Sequence, residues 1–492
     1  MKKFFRRLGF TLILILIIAE NAQAVTKYQF LTGLLEARGL NWTNSPEYEY
    51  QDPGGFMLNS GYISEYVNNL DAKITRREAL RFCIESLGLD FEAELLSDYP
   101  SGFNDAKNLT EFERGCLVVA INMRPAIFTK NKTFRGNDAL TEKEYSAILQ
   151  RVKNASRNLI LDMIRNPEQG LRVHIHREGV PTGIPSSWRV YTYGIKNKSM
   201  AETFRNSLRA SGYDASMTST NGAYGVRAQK IEEYEKVIRM VNVAQARGFK
   251  TRVIPSMTNT NMRIVPKFCV ILTIDPREWR LRPIASYNGP NELRTLSTIA
   301  SDNGVHTAIN AGFFAATKGG RGYPIGALRV NGRNINSPLD NRGILGWNDY
   351  GENNFAVAPY SEAEGDERNF YWDEMTQVVQ AGPLLLERGW PVRNDEGFTN
   401  SFISARHPRS VIGLNQNREW IFMIIDGRNG MHSSGATISE LTEILRSQKI
   451  EYALNLDGGG STELIIDNKI YNIPSDGYER NISYGLGVLQ SR

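Results

Sequence analysis

The sequence has few of the residues that build metal clusters and disulfide frameworks. Its 492 residues include only three cysteines and five histidines, and neither a C-x-x-C nor an H-E-x-x-H spacing occurs. A dedicated zinc site is therefore not expected. We expect Cys83, Cys116 and Cys269 to be buried as small hydrophobic residues. In an oxidising compartment a Cys83–Cys116 disulfide is the alternative, which leaves Cys269 unpaired.

The chain also lacks a long basic run and a low-complexity linker. Its net charge of +5 is spread over many residues, which argues against nucleic acid as a partner and is compatible with anionic envelope polymers. Without Gly-Ser tethers, the connections between domains are expected to be short. Apolar and charged fractions of 41% and 23% are those of a globular protein. The length predicts about three domains.

The first 24 residues have the pattern of a secretory signal. Four basic residues precede the apolar run from Phe10 to Ala19, and Ala22-Gln23-Ala24 follows as a cleavage site. The run is too short to cross a bilayer of about 30 Å comfortably, and no cysteine follows it for lipid attachment. The pattern predicts a secreted protein of the periplasm or cell-envelope surface. It would begin near Val25 and keep no transmembrane anchor after cleavage.

Residues 25–167 are predicted to form an α-helical domain. Two phrases, Ile74-Thr75-Arg76-Arg77-Glu78 and Leu140-Thr141-Glu142-Lys143-Glu144, place Thr three residues before Glu at the start of an apolar helix, a capping-box pattern. The second phrase follows Phe134-Arg135-Gly136-Asn137-Asp138. These phrases resemble S-layer homology motifs in about two units, and the resemblance implies binding to cell-wall polysaccharide. The alternative is a small helical domain that acts as a spacer.

Residues 188–255 are predicted to form a small α+β domain of order βαββαβ. Strands are expected at Trp188–Tyr193, Tyr213–Thr218, Tyr224–Ala228 and Phe249–Ile254, and helices at Ser199–Ala210 and Ile231–Ala246. Gly212 and Gly248 supply the stop signals after the two helices. The pattern resembles a SPOR domain, which implies binding to the glycan strands of peptidoglycan. A purely structural spacer is the alternative.

Residues 263–492 are predicted to form an α+β domain with helices at Asn291–Asp302 and Ile438–Ser447. Asp426 and Asp457 each follow a β-rich apolar run and each precede glycine, which allows a ligand to approach closely. Three glycines after Asp457 can form an anion-binding nest of backbone N–H groups. The candidate substrate-binding residues are Asn310, Arg409, Arg428, Asn455, Gly458, Gly459, Gly460, Ser461, Asp476 and Arg480.

The chemistry of these residue types suits a glycosyl phosphate. Arg409, Arg428 and Arg480 can bind phosphate bidentately, and Asp457 and Asp426 are the candidate catalytic carboxylates. The same aspartates could hold a divalent cation, although nothing in the sequence requires one. Each signal has a structural alternative, because Asp-Gly is a common hairpin turn and Pro-Ser-Asp-Gly at residues 474–477 reads as a β-turn.

Four phrases in this order resemble the phosphodiester glycosidase family from about Ile271 onward. They lie at residues 309–314, 380–385, 406–428 and 453–462, with a fifth segment at 474–480. Ser410 and Glu463 depart from the family pattern. The resemblance implies hydrolysis of sugar-1-phosphodiesters at the anomeric carbon. The alternatives are a glycan-binding envelope protein with a degenerate catalytic domain, and a phosphodiesterase that cuts the P–O bond.

Overall fold

The computed structural model describes residues 24–40, 42, 52–220, 223–257, 265–348, 353–358 and 375–491. Its contacts divide into two compact units. The first takes the described residues of 1–162 together with 177–185 and 258–266; the second takes 163–176, 186–257 and 267–492. Residues 1–23 of the predicted signal lie outside the described residues. Among those described, no helix combines the length and the apolarity needed to cross a membrane.

The first unit is helical up to Asn158, as predicted. The predicted helical region continued to residue 167, but Ile160–Arg165 forms a strand. Its helices are α1 Lys27–Arg38, α2 Pro53–Asn59, α3 Arg76–Ser86, α4 Asp90–Leu95, α5 Glu111–Asn122 and α6 Glu142–Asn158, with a 3₁₀ turn at Ala106–Asn108. The predicted capping boxes at Thr75 and Thr141 are present. Two more capping boxes begin at Thr26 and Thr110. Each box satisfies backbone donors that the first turn of a helix leaves unpaired.

The residues that precede three of these boxes form a closed ring of backbone hydrogen bonds. The Val25 N–H donates to Leu140 O (3.2 Å), the Leu140 N–H to Ile74 O (2.9 Å), and the Ile74 N–H to Val25 O (2.9 Å). The helices that begin at residues 27, 76 and 142 therefore start from equivalent positions. The sequence predicts two such units. The structure adds a third at Val25, whose capping box uses Gln29 in place of Glu.

The three cysteines are buried and free. Burial raises the pKa of the Cys83 thiol well above its ordinary value, because a thiolate loses its hydration there. Cys116 is fully buried as well, and its pKa is raised for the same reason. The expectation of buried small hydrophobic residues is confirmed, and the alternative Cys83–Cys116 disulfide does not form.

The middle region has the predicted βαββαβ order. Following β1 Ile160–Arg165 and β2 Leu171–Glu178, its elements are β3 Pro185–Ile195, α7 Lys198–Ala210, β4 Asp214–Thr220, β5 Ala223–Ile231, α8 Tyr234–Gln245 and β6 Lys250–Met257. The strands form one sheet in the order β4-β5-β3-β6. Side chains of both helices pack on one face of it, around Trp188 and Phe204.

The C-terminal region is built on three larger sheets and one two-stranded ribbon. The strands are β7 Lys267–Ile274, β8 Trp279–Ala285, β9 Ala308–Asn310, β10 Phe314–Ala316, β11 Gly322–Pro324, β12 Leu328–Val330, β13 Arg333–Asn336, β14 Arg342–Trp347, β15 Asn353–Ala358, β16 Gln377–Gln380, β17 Leu384–Glu387, β18 Trp390–Pro391, β19 Arg409–Asn415, β20 Trp420–Ile425, β21 Ile450–Asn455, β22 Leu464–Ile466, β23 Lys469–Ile470 and β24 Tyr484–Gln490. The helices are α9 Leu296–Asp302, α10 Asn400–Ser404 and α11 Ile438–Ser447. The sheet orders are β1-β2-β7-β20-β19-β21-β17-β18, β23-β22-β9-β24-β8, β13-β12-β16-β14-β15 and β10-β11.

Of the two helices predicted here, one is confirmed and one is shorter than predicted. Ile438–Ser447 forms α11 over its whole predicted length. The predicted helix Asn291–Asp302 begins only at Leu296, with Thr295 as its N-cap. The first residues of the predicted span cannot join the helix, because the Glu292 backbone forms a β-bridge elsewhere in the domain. The multidomain α+β organisation is confirmed.

Candidate active site

The register of the large sheet brings the candidate residues to one edge. Strands β19 and β20 are antiparallel with Arg409 opposite Ile425, and β19 and β21 are antiparallel with Val411 opposite Asn455. The start of β19 and the ends of β20 and β21 therefore meet at the same edge of the sheet. All three strands are buried over nearly their whole length, so this edge is rigidly placed.

The loop at Asp457 needs its three glycines for different reasons. A Cβ atom on Gly458 would lie 2.7 Å from Pro408 O, and one on Gly460 would lie 2.1 Å from Arg480 Nη2. Gly459 has a φ of +62°, in the left-handed region that favours glycine. Each position is closed to a larger side chain, so the glycines let the neighbouring polar groups approach the loop backbone.

Asp457 lies at the centre of this loop and is partly buried. Its Oδ1 accepts a hydrogen bond from the Gly458 N–H at 2.9 Å. Burial raises the pKa of Asp457 to about 6, while the Ser461 hydroxyl and the nearby Arg480 guanidinium act in the opposite direction. A carboxylate that titrates near neutral pH can accept a proton during a reaction.

Two arginines stand beside the glycine loop. Arg480 Nη2 and Nε lie 2.7 and 2.8 Å from Asp476 Oδ2, and Arg480 Nη1 donates to Ser461 Oγ at 3.5 Å. Asp476 thus orients Arg480 toward the loop. The Arg428 guanidinium faces Gly459, where an added Cβ would lie 3.2 Å from Nη2, although other parts of this residue are exposed. Burial lowers the pKa of Arg428, as does Arg480, and Asp476 opposes the change.

Asn310 ties the two sheets together at the site. Its Nδ2 donates to Asp457 O at 2.7 Å, and its Oδ1 accepts from Ser410 Oγ at 2.6 Å and from the Glu463 N–H at 3.1 Å. The side chain is 1% exposed. The structure therefore places Asn310 beneath the loop, where it fixes the Asp457 backbone, rather than in a position to contact a substrate hydroxyl.

Asn455 is also buried beneath the loop. Its Nδ2 donates to Gly382 O at 2.7 Å and to Leu456 O at 2.8 Å. The predicted anion nest has little support, because most of the loop N–H groups are already paired. The N–H of Gly459 donates to Pro408 O, that of Ser461 to Gly458 O and that of Gly458 to Asp457. The arginine side chains are the better candidates for phosphate.

Asp426, the second predicted carboxylate, lies in a buried network of its own. Its Oδ2 accepts from the Ile473 N–H at 2.8 Å and lies 2.9 Å from His432 Nε2, and its Oδ1 accepts from Asn472 Nδ2 at 3.0 Å. Asp426 is only 2% exposed, and each of its carboxylate oxygens is hydrogen-bonded within the protein. In the described part of the chain, neither Asp426 nor Asp457 belongs to a group of three His, Cys, Asp or Glu side chains spaced for a metal ion.

Arg409, the third predicted phosphate ligand, is 1% exposed. Its Nε donates to Ala436 O at 2.9 Å, and its Nη2 donates to Phe402 O at 2.6 Å and Ala405 O at 3.3 Å. Burial lowers the pKa of Arg409 to about 10, with Arg428 contributing. Its hydrogen bonds hold the 400–408 segment and disfavour the predicted contact with phosphate.

A carboxyl pair that the sequence analysis did not include lies next to the loop. Glu463 is 2% exposed and lies beside Glu479, whose carboxylate accepts from the Ser297 hydroxyl at 2.9 Å. Burial first, and then the neighbouring Glu479, raises the pKa of Glu463 well above its ordinary value. The sequence signal that could have revealed this pair is Glu463 itself, a charged residue directly before the apolar run Leu464–Ile466.

Comparison with known proteins identifies the C-terminal region. Residues 303–489 match the family model described as NAGPA, phosphodiester glycosidase. The C-terminal region is a phosphodiester glycosidase family domain. The matched span starts later than the predicted one, which began near Ile271, and it contains every predicted site residue. The predictions for the first two regions stay predictions.

Named relatives agree with this family. The chain is 24% identical over 227 residues to the N-acetylglucosamine-1-phosphodiester alpha-N-acetylglucosaminidase of Bos taurus, covering 43% of this chain and 41% of that protein. It is 25% identical over 253 residues to the SPbeta prophage-derived uncharacterized protein YomE of Bacillus subtilis (strain 168), covering 48% of this chain and 35% of that protein. The chain thus spans less than half the length of these relatives. Members of this family are glycosidases, a class of hydrolase.

A solved structure is also similar. It is the catalytic domain of zebrafish N-acetylglucosamine-1-phosphodiester alpha-N-acetylglucosaminidase, auto-inhibited by its pro-peptide. The TM-score is 0.40 at 18% sequence identity, and the match covers 49% of this chain and 82% of that one.

Proposed function

We propose that the protein hydrolyses the glycosidic bond of sugar-1-phosphodiesters and releases free sugar and a phosphomonoester. The observation that carries the proposal is the Asp457 loop. A carboxylate with a pKa of about 6 is held there beside the guanidinium groups of Arg428 and Arg480. The family of the C-terminal domain supports the same class of substrate.

The proposed reaction assigns one role to each charged group. Water attacks the anomeric carbon, the bond from that carbon to the phosphate oxygen breaks, and its electron pair stays on the phosphate. Asp457 takes the proton of the attacking water and releases it to solvent afterwards. A phosphate leaving group is a weak base and needs little protonation, so a single carboxylate suffices. Arg428 and Arg480 stabilise the charge that develops on the leaving phosphate.

The buried polar residues act as positioning groups in this proposal. Asn310 fixes the Asp457 carbonyl, and Asp426 holds residues 472 and 473 through Asn472 and the Ile473 N–H. Asn472 in turn donates to Thr462 O at 3.0 Å, next to Ser461. A second catalytic carboxylate and a shared divalent cation are not needed for these steps.

The experiment is a turnover assay with a panel of sugar-1-phosphodiesters that includes UDP-N-acetylglucosamine. We expect free sugar from the wild type and none from Asp457→Asn. Running the reaction in ¹⁸O-labelled water identifies the bond that breaks, because cleavage at the anomeric carbon puts the label in the sugar. Label in the phosphate would show P–O cleavage and contradict the proposal, and no release from any substrate would favour a glycan-binding protein.

We also propose that the protein is exported and bound to envelope glycans through its first two regions. The support is the signal pattern of residues 1–24 and the capped helices α1, α3 and α6 with their backbone ring. Fractionation of cells that express the chain with and without residues 1–24 tests export. Sedimentation of the full chain with purified cell wall tests binding, and a chain that stays in the supernatant contradicts it.

A further inference from the structure

The sheet of the middle region has a second face that its own helices do not cover. Side chains alternate along a strand, so Trp188 and Val190 of β3 point into the core formed with α7 and α8. Arg189 and Tyr191 lie on the opposite face. Tyr191 is nevertheless only 2% exposed. The middle and C-terminal regions belong to one compact unit, and Tyr478 of the C-terminal region packs on Tyr191.

The covering segments come from the candidate active site. Arg189 Nη2 donates to Arg428 O at 2.8 Å, which joins β3 to one of the two arginines beside the Asp457 loop. The rings of Tyr191 and Tyr478 have centroids 6.2 Å apart and are tilted by 57°. A Cβ on Gly477 would lie 2.3 Å from the Tyr191 ring. Residues 477 and 478 stand between Asp476 and Arg480 in sequence, so the middle sheet packs directly on the site.

Arg227 is a residue of this face that the packing leaves with an unused donor. It lies opposite Tyr191 in the antiparallel register of β3 and β5. Its Nε is buried and has no hydrogen-bond acceptor among the described residues. Arg227 is close enough to Tyr478 to lower the pKa of that phenol, against the larger effect of burial and that of Asp476. A buried guanidinium N–H without an acceptor is costly unless a ligand supplies one.

We propose that the middle sheet forms a wall of the substrate cleft and that Arg227 binds an anionic group of the leaving portion, such as the second phosphate of a diphosphate. The proposal rests on the hydrolase function given above. Arg428 and Arg480 serve the reacting phosphate next to Asp457. Arg227 lies on the same sheet face as Tyr191, which packs on Tyr478, and Arg189 and Arg252 of the middle region donate to Arg428 O and Gly477 O. Arg227 is thus a specificity residue for extended anionic leaving groups.

Binding of inorganic pyrophosphate to the full chain, measured by isothermal titration calorimetry, tests this without turnover. We expect the wild type to bind it and Arg227→Ala to bind it at least tenfold more weakly, with Arg227→Lys in between. Arg239→Ala is the matched control, because Arg239 lies on α8 and pairs with Glu235 in solvent. Equal binding by the wild type and Arg227→Ala overturns the proposal, and so does a wild type that binds no pyrophosphate.

Kinetics supply a second readout that separates this inference from the hydrolase function. For Arg227→Ala we expect KM for UDP-N-acetylglucosamine to rise about tenfold with kcat changed less than twofold. For the methyl phosphodiester of N-acetylglucosamine, which has no second phosphate, both constants should stay within twofold. An equal loss on both substrates contradicts a specificity role. If the wild type releases no sugar, the hydrolase function fails and the calorimetry alone decides. If Arg227→Ala does not fold, Arg227→Gln takes its place.

Discussion

Two strand ends at the same edge of the large sheet carry the same local sequence and have opposite environments. Asp426-Gly427 follows β20, and Asp457-Gly458 follows β21. Asp426 is 2% exposed, and its carboxylate is engaged by Asn472, the Ile473 N–H and His432. Asp457 keeps a partly exposed carboxylate whose pKa burial raises to about 6.

The difference is the supply of hydrogen-bond donors. Both oxygens of Asp426 accept hydrogen bonds from residues 472 and 473, almost fifty residues later in the chain, so its side chain holds that segment in place. Asp457 has one backbone donor, a serine and two nearby arginines, and its ionised form is disfavoured by burial. A carboxylate that the fold pairs completely is a structural residue, whereas one that the fold leaves poorly paired can take part in chemistry.

The largest expected effect is the loss of activity in Asp457→Asn. The amide cannot accept a proton, so we expect turnover to fall about a thousandfold or more, within the range that loss of a catalytic base produces. The matched variant is Asp426→Asn, in which the folded fraction should retain turnover within about tenfold of the wild type. Sugar release from a panel of sugar-1-phosphodiesters measures both. Equal losses in the two variants would remove the distinction between the two aspartates.

The second expected effect is on stability, and here Asp426→Asn is the variant that should lose more. In Asp426→Asn an amide replaces a buried carboxylate that accepts from three groups, and at least one donor loses its partner. We expect the free energy of unfolding to fall by about 2–3 kcal/mol at pH 7. Urea unfolding followed by circular dichroism measures it, with Ser439→Ala on the surface of α11 as a control. A change below about 0.5 kcal/mol would show that Asp426 is not a structural residue.

Several features of the fold follow from local sequence. Alternating apolar residues and Gly212 and Gly248 predict the βαββαβ order, because these signals act within a few residues. The predicted helix Ile438–Ser447 is also local, and in the structure Thr437 and Glu440 form its capping box. The helix predicted from Asn291 starts late because Glu292 and Arg294 form isolated β-bridges with Arg321 and Ile482, which are distant in the chain. Local propensity is overridden wherever tertiary pairing offers the backbone other partners.

The site could be predicted only in part, for the same reason. The glycine loop and Asp457 can be recognised from the sequence, because the signal consists of adjacent residues: an aspartate at a strand end followed by three glycines. The pairing of Arg409 with three backbone carbonyls depends on which segments meet after folding. The contact of Tyr191 with Tyr478 depends on this as well, and no spacing in the sequence carries it.

The third prediction concerns the pH dependence of wild-type activity, which tests the role of Asp457 without replacing it. If Asp457 acts as the ionised base, kcat/KM rises about tenfold per pH unit below about pH 6 and is constant above it. His407 Nδ1 lies 3.4 Å from Arg428 Nη2, and burial lowers the pKa of His407 below its ordinary value. His407 is thus a second titratable group beside the site. His407→Gln is therefore the control, and its profile should keep the same midpoint. A midpoint that moves with His407 would reassign the titration.

The smallest expected effect is a gain in stability when Asp457 is replaced. The folded pKa of Asp457 is raised to about 6 from an ordinary value of 3.8, so its favourable contribution is complete below about pH 4. That contribution is lost as the pH rises to about 6, because ionisation is then easier in the unfolded chain. At pH 7 we expect Asp457→Asn to be more stable than the wild type by on the order of 1–2 kcal/mol, allowing for partial exposure.

The advantage of Asp457→Asn should shrink as the pH falls to 4, where the wild-type carboxyl is protonated in the folded state and partly protonated in the unfolded chain. Urea unfolding at pH 4, 5, 6 and 7 measures this difference directly. Asp426→Asn serves as the comparison, since it should be less stable than the wild type at pH 7. Removing one aspartate at this edge of the sheet would then stabilise the protein and removing the other would destabilise it. If Asp457→Asn is destabilised at pH 7, its carboxylate is well paired in the fold, and the main physical reason for assigning it the catalytic role is lost.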